Sequence, residues 1–208
     1  MKRLLPVVMS VAWSLAAVAT GAPEAEQVAP AKPPSVGSKA AGAASTMLAR
    51  GEYLAMIGGC CHDCHTPKKV GPQGPEPDLS RALSGHPEQS KLPPPPKLPP
   101  GPWIATLSWD LTAWSGPWGL SYAINLTPDE NTGMGIWTED MFMKALRTGR
   151  HMGTSRPILP PMPWQLYAHM TDEDIKAIFA YLKSLPPIKN RVPEAVVAEP
   201  PANPPASP

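Results

Sequence analysis

Three stretches of this chain carry apolar side chains at helical spacing between clear start and stop signals. In residues 45–57, Leu48, Tyr53, Leu54 and Ile57 fall on one face, Ser45 or Thr46 can cap the start, and Gly58-Gly59 stops the turn. A second helix is expected from Thr138, whose hydroxyl can cap it. Met141, Phe142, Ala145 and Leu146 form its apolar stripe, and Gly149 ends it. The third is the most sharply bounded. Thr171 caps it, Asp174 three residues on gives a capping-box pattern, and Asp172 and Glu173 suit the positive helix end. Ile175, Ile178, Phe179, Leu182 and Leu185 follow, and Pro186-Pro187 cannot continue the helix. Period-two alternation is weak throughout, so the expected fold class is mainly α.

The ends read differently. Met1-Lys2-Arg3 is basic, Leu4 to Ala19 is apolar and uncharged, and small residues follow, which gives residues 1–22 the form of a secretory signal peptide. The apolar run falls short of the about 20 residues of a membrane span, so a membrane partner is expected only if this segment is retained as an anchor. No cysteine lies near the cleavage region, which argues against a lipoprotein. Residues 23–44 are rich in Ala and Pro with few large apolar groups, as are residues 189–208, and both are expected to be flexible. Of the 31 prolines, Pro93 to Pro96 and Pro99-Pro100 favour polyproline II geometry, a surface excursion within one domain spanning 45–188.

Charge narrows the partners. With 18 Lys+Arg against 17 Asp+Glu, the chain has no excess from which to build the basic face that nucleic acid requires. No G-x-S-x-G or Walker pattern occurs, so serine hydrolase and phosphate-loop chemistry find no support. Three cysteines are too few for a disulfide framework.

Two of those cysteines carry the chemistry. Cys61-His62-Asp63-Cys64-His65 reads C-x-x-C-H, the attachment pattern of a c-type haem. Wound into a helical turn, positions i, i+3 and i+4 share a face. Cys61 and Cys64 can then add their thiols to two haem vinyl groups while His65 offers nitrogen to the iron. The sixth iron position decides between electron transfer and the binding of small molecules. Zinc is the competing reading, but it lacks a fourth ligand, because His62, His86, His151 and His169 are scattered. Cys60 is left over and is expected to be a small residue at a helix end rather than a reactive thiol.

A first helix, C-x-x-C-H, a methionine loop and a final amphipathic helix resemble the class I c-type cytochromes. Arg50-Gly51-Glu52-Tyr53-Leu54, Cys61 to Pro67, Asn125-Leu126-Thr127-Pro128-Asp129, Thr132 to Trp137, Ala145 to Gly149, Pro161-Met162-Pro163-Trp164, Tyr167, Met170 to Asp174 and Ala180-Tyr181-Leu182 bring it nearer the cytochrome subunits of bacterial periplasmic dehydrogenases. The resemblance spans about 47–188. It implies a cytochrome c-like fold, helices around one covalent haem c, with long Pro-rich loop insertions.

The resemblance also implies Met162 as sixth ligand. Met162 lies between two rigid prolines just before the final helix, whereas Met47, Met56, Met141 and Met143 lie on helices. Met152, Met170 and His151 stay open as alternatives. A backbone carbonyl in Gly71 to Pro75 is expected to hold the other ring nitrogen of His65. Trp118, Tyr122, Asn125, Trp137, Arg147 and Trp164 are expected to wall the pocket or bond propionates, with ordinary core packing as the competing role for each. The resemblance further implies that Gly51 lets the first and last helices cross closely, with Tyr181 packed against the contact.

The function implied is a periplasmic monohaem carrier, not an enzyme, passing single electrons from a dehydrogenase to an oxidase or another cytochrome. The alternative is a haem enzyme or sensor with a labile sixth site, for which His151 and Arg150 are the polar candidates.

Overall fold

The structure is a computed structural model that describes residues 39–58, 61–99 and 101–198. The expected signal peptide, residues 23–38 of the expected linker, Cys60 and residues 199–208 lie outside the described residues.

Helix α1 (Lys39–Tyr53) continues into a π-helical turn over Leu54–Gly58. It starts inside the stretch expected as linker, because alanine is the strongest helix former and the run from Lys39 is alanine-rich. Ser45 and Thr46 are therefore interior residues rather than caps. Their hydroxyls donate back to the Gly42 carbonyl at 3.0 and 2.6 Å. The short helix α2 (Cys61–His65) is the C-x-x-C-H motif itself.

Helix α3 (Glu139–Thr148) has Thr138 as its cap, the Oγ1 accepting from the Met141 amide at 3.2 Å, and ends on Gly149 in the left-handed conformation. After the single-turn α4 (Trp164–Tyr167), helix α5 (Asp172–Ser184) begins at Thr171, whose hydroxyl accepts from the Asp174 amide at 3.2 Å. The Asp174 carboxylate does not complete a capping box. It pairs instead with Arg50 of α1 at 2.9 Å.

Helices α1 and α5 cross at Gly51. A Cβ there would lie 1.9 Å from the Ala177 carbonyl oxygen and 2.8 Å from the Tyr181 Cβ, so only glycine allows this approach. Leu54, Ile175, Ile178 and Leu182 belong to one buried core beside this crossing. Phe142 and Leu146 of α3 close the same core, the Phe142 and Phe179 rings lying 5.5 Å apart.

The strands amend the expectation of a mainly helical chain. Strands β1 (Lys68–Gly71) and β2 (Gly74–Pro77) form an antiparallel hairpin. Strands β3 (Thr106–Leu107), β4 (Ala113–Gly116), β5 (Gly119–Tyr122) and β6 (Val196–Val197) form an antiparallel sheet in that order, with Trp114 opposite Ser121 and Gly119 opposite Val197. Segments of two to four residues are too short to display a period-two pattern.

Part of the expected tail is thus ordered. Asn190 donates to the carbonyls of Ser84 (2.7 Å) and His86 (2.9 Å) and accepts from the Glu88 amide (2.8 Å), after which the chain returns to β5 as β6. Pairing through backbone groups needs no apolar run, which is why composition misses it. Residues 91–99 of the Pro-rich excursion are exposed and without helix or strand.

Candidate functional site

Helix α2 presents Cys61, Cys64 and His65 to one cavity of about 300 Å³. Facing residues come from the Leu159 to Pro163 loop, Met162 among them, and the rest of the wall is largely apolar, with Leu126, Met134, Trp137, Phe142 and Leu146. That volume is at the lower end of small-molecule sites, about 300–1,000 Å³.

His65 is buried and fixed. Its Nδ1 donates to the carbonyl of Ile124 at 2.8 Å, which leaves Nε2 as the nitrogen able to accept a metal. Burial lowers its pKa, with the Ile124 bond acting in the opposite direction, and so favours the neutral ring. The expected carbonyl in Gly71 to Pro75 does not serve. Those residues form the turn of the β1–β2 hairpin, and the partner comes from a segment distant in sequence.

That segment is braced on both sides. The His86 amide donates to the Ala123 carbonyl (2.9 Å), and the Leu126 amide to the Leu83 carbonyl (2.8 Å). Gly85 packs against it with φ of +80°, where a Cβ would stand 2.6 Å from the Ile124 oxygen. Its own amide donates to the His65 carbonyl at 2.7 Å. Behind lies a buried relay in which His86 Nδ1 donates to the Thr112 hydroxyl (2.7 Å) and that hydroxyl donates to Asp110 (2.9 Å). The His86 ring sits 4.9 Å from that of Tyr122, a cavity residue.

The methionine loop is fastened to β5. Ser121 donates to the Pro160 carbonyl at 2.6 Å, and the Trp164 amide donates to the Met162 carbonyl at 2.9 Å. Among the described methionines, Met134 and Met162 line the cavity, whereas Met152 and Met170 do not. Met134 is fully buried in a turn, its amide bonded to the Thr127 carbonyl at 2.7 Å. Met162 is only half-buried.

The six expected pocket residues divide. Tyr122 and Trp137 line the cavity. Trp118, Asn125, Arg147 and Trp164 do not, each being committed elsewhere. Trp118 donates from its indole to Ser121 (3.2 Å). Asn125 donates to the Ile188 carbonyl (2.7 Å) and accepts from the Thr127 amide (2.9 Å). Arg147 holds Asp172 at 2.6 Å and the Ala168 carbonyl, tying α3 to the start of α5. The Trp164 ring lies where a Cβ on Gly149 would be, 2.3 Å from its Cε2.

Two further polar residues reach the cavity. His151, open in sequence as an alternative ligand, stands edge-on to Trp137 with ring centroids 5.0 Å apart. Burial, then the charge of Arg156, lowers its pKa. Arg156 lies on the wall 3.8 Å from Glu194 of the returning chain. No spacing marks Arg156 in the sequence, because its place follows from the loop that carries it.

The donor set fits haem. Two thiols and a neutral imidazole with one committed nitrogen share one apolar cavity with a thioether. Among the described residues, no three His, Cys, Asp or Glu side chains gather as a metal site. No helix among them is long and apolar enough to cross a membrane.

No family model matches the chain. It is 29% identical over 180 residues to a nicotinate dehydrogenase subunit of Pseudomonas putida, covering 86% of this chain and 12% of that protein. It is 33% identical over 135 residues to the gluconate 2-dehydrogenase cytochrome c subunit of Pantoea cypripedii, covering 65% of this chain and 22% of that one. With the fructose dehydrogenase cytochrome subunit of Gluconobacter japonicus it shares 40% over 68 residues, 33% of this chain and 14% of the relative. Its homologues thus include cytochrome c subunits of bacterial dehydrogenases, and it spans less than a quarter of the length of these three.

Proposed function

We propose that this chain is a monohaem c-type cytochrome module of the periplasm. It holds one haem c through Cys61 and Cys64, ligates it with His65 and Met162, and passes single electrons from a dehydrogenase to a downstream oxidase or cytochrome. The observation that carries this reading is the convergence of Cys61, Cys64, His65 and Met162 on one apolar cavity, with His65 Nδ1 already spent on Ile124. The cytochrome subunits to which the chain is similar support the dehydrogenase partner.

When bound, the haem supplies a reversible Fe(III)/Fe(II) couple, and Met/His ligation favours a high potential. The protein's part is to hold and to exclude. Cys61 and Cys64 of α2 would hold the haem through thioether bonds. Ile124 sets the orientation of His65, and Ser121, through Pro160, steadies the loop that offers the Met162 sulfur. Leu126, Met134, Trp137 and Phe142 keep water from the walls. With the Met162 sulfur offered to the sixth position, the role proposed is transfer rather than catalysis.

Visible spectra of the purified holoprotein, oxidised and reduced, with and without carbon monoxide, test the assignment beside Met162→Ala and Met134→Leu. A low-spin wild type indifferent to carbon monoxide, with the methionine-to-iron charge-transfer band lost in Met162→Ala and kept in Met134→Leu, is expected. Ready carbon monoxide binding by the wild type would move the reading to an open-site enzyme or sensor.

A further inference from the structure

Lys68, the first residue of β1, reaches back to the haem-attachment turn. Its ammonium donates to the carbonyls of Asp63 and of Thr66 (3.1 Å), the residues that bracket Cys64 and His65. The Asp63 carboxylate lies 3.7 Å away. Of the three N–H donors of an ammonium, two are taken by these carbonyls, and the carboxylate stands beyond hydrogen-bond distance as an ion-pair partner.

The two charges are placed very differently. The Lys68 side chain is 4% exposed and that of Asp63 67%. Water screens the carboxylate, whereas the buried ammonium acts through protein. The unbalanced charge inside the fold is therefore positive and sits beside the proximal residues. Burying an ammonium is expensive, and closing a helix end requires no charge, since neutral donors or water satisfy such carbonyls elsewhere.

We propose that Lys68 is a positioning residue that raises the reduction potential of the centre. Its fixed positive charge opposes the additional positive charge of Fe(III) and so favours the reduced form. The inference rests on the haem reading given above.

The test is a spectroelectrochemical titration of the full-length holoprotein with Lys68→Gln, Lys68→Met and Lys68→Arg. At the wild-type midpoint, Lys68→Gln is expected to raise the oxidised-to-reduced ratio on the order of tenfold, a downward shift of about 59 mV for one electron. Lys68→Met moves the same way and carries the test if the Gln variant does not assemble. Lys68→Arg keeps the wild-type midpoint. A Gln or Met variant with a wild-type spectrum and an unmoved midpoint overturns the role of Lys68, as does an Arg variant that shifts as far as the Gln variant. A wild type without a covalent haem spectrum contradicts the carrier reading itself, a distinguishable result.

Discussion

The Nδ1 of His65 and the carbonyl oxygen of Ile124, residues 59 positions apart in the chain, stand 2.8 Å apart. This bond holds the imidazole of the C-x-x-C-H motif in one orientation, because a neutral ring that donates from Nδ1 has only Nε2 left to offer a metal. The carbonyl is itself positioned by the loop from Leu83 to His86 and by the close approach of Gly85.

The α1–α5 crossing depends on the missing side chain at Gly51. Gly51→Ala is expected to cost about 1–3 kcal/mol, the range for overpacking a well-filled contact, as one helix is pushed off the other. Chemical denaturation of holoprotein measures it, and a denaturation midpoint equal to wild type would refute the contact as drawn.

Stability should fall on mild acidification through His86. Burial lowers the His86 pKa, partly opposed by Asp110, so its folded value lies below the unfolded one of about 6.5. The unfolded chain then binds more protons, and stability rises with pH through this window. The contribution is complete above about 6.5 and lost as pH falls toward the folded value. Denaturation midpoints between pH 5 and 7.5 are expected to slope less in His86→Gln than in wild type. Equal slopes would assign the acid sensitivity elsewhere.

Asn190 joins the returning chain to the loop beside the site with three hydrogen bonds. Asn190→Ala leaves the Ser84 and His86 carbonyls without this donor and is expected to cost roughly 2–3 kcal/mol. It should also speed limited proteolysis between Lys189 and Ala198. Unchanged protease resistance would mean that β6 holds the segment unaided.

The parts of this molecule legible in its sequence are the locally encoded ones. Thr138, Gly149 and Thr171 mark helix ends because caps act within one turn, whereas the Gly51 crossing is implied by the family resemblance. Cys61, Cys64 and His65 are likewise set by spacing within one short helix. What sequence could not give is long-range and made by backbone. The Ile124 carbonyl is common to every residue type, and β6 pairs through amides that composition does not reveal. Trp118, Asn125, Arg147 and Trp164 had the right chemistry for a pocket, yet each makes hydrogen bonds or contacts that hold neighbouring loops in place.

The most direct test is the mass of the chain purified under denaturing conditions after expression with haem-attachment machinery. The expected result is the chain plus one haem, with that increment lost in the Cys61→Ser, Cys64→Ser double variant. A wild-type chain of unmodified mass, or one whose haem separates on denaturation, would contradict covalent attachment at Cys61 and Cys64, and with it the electron-carrying role.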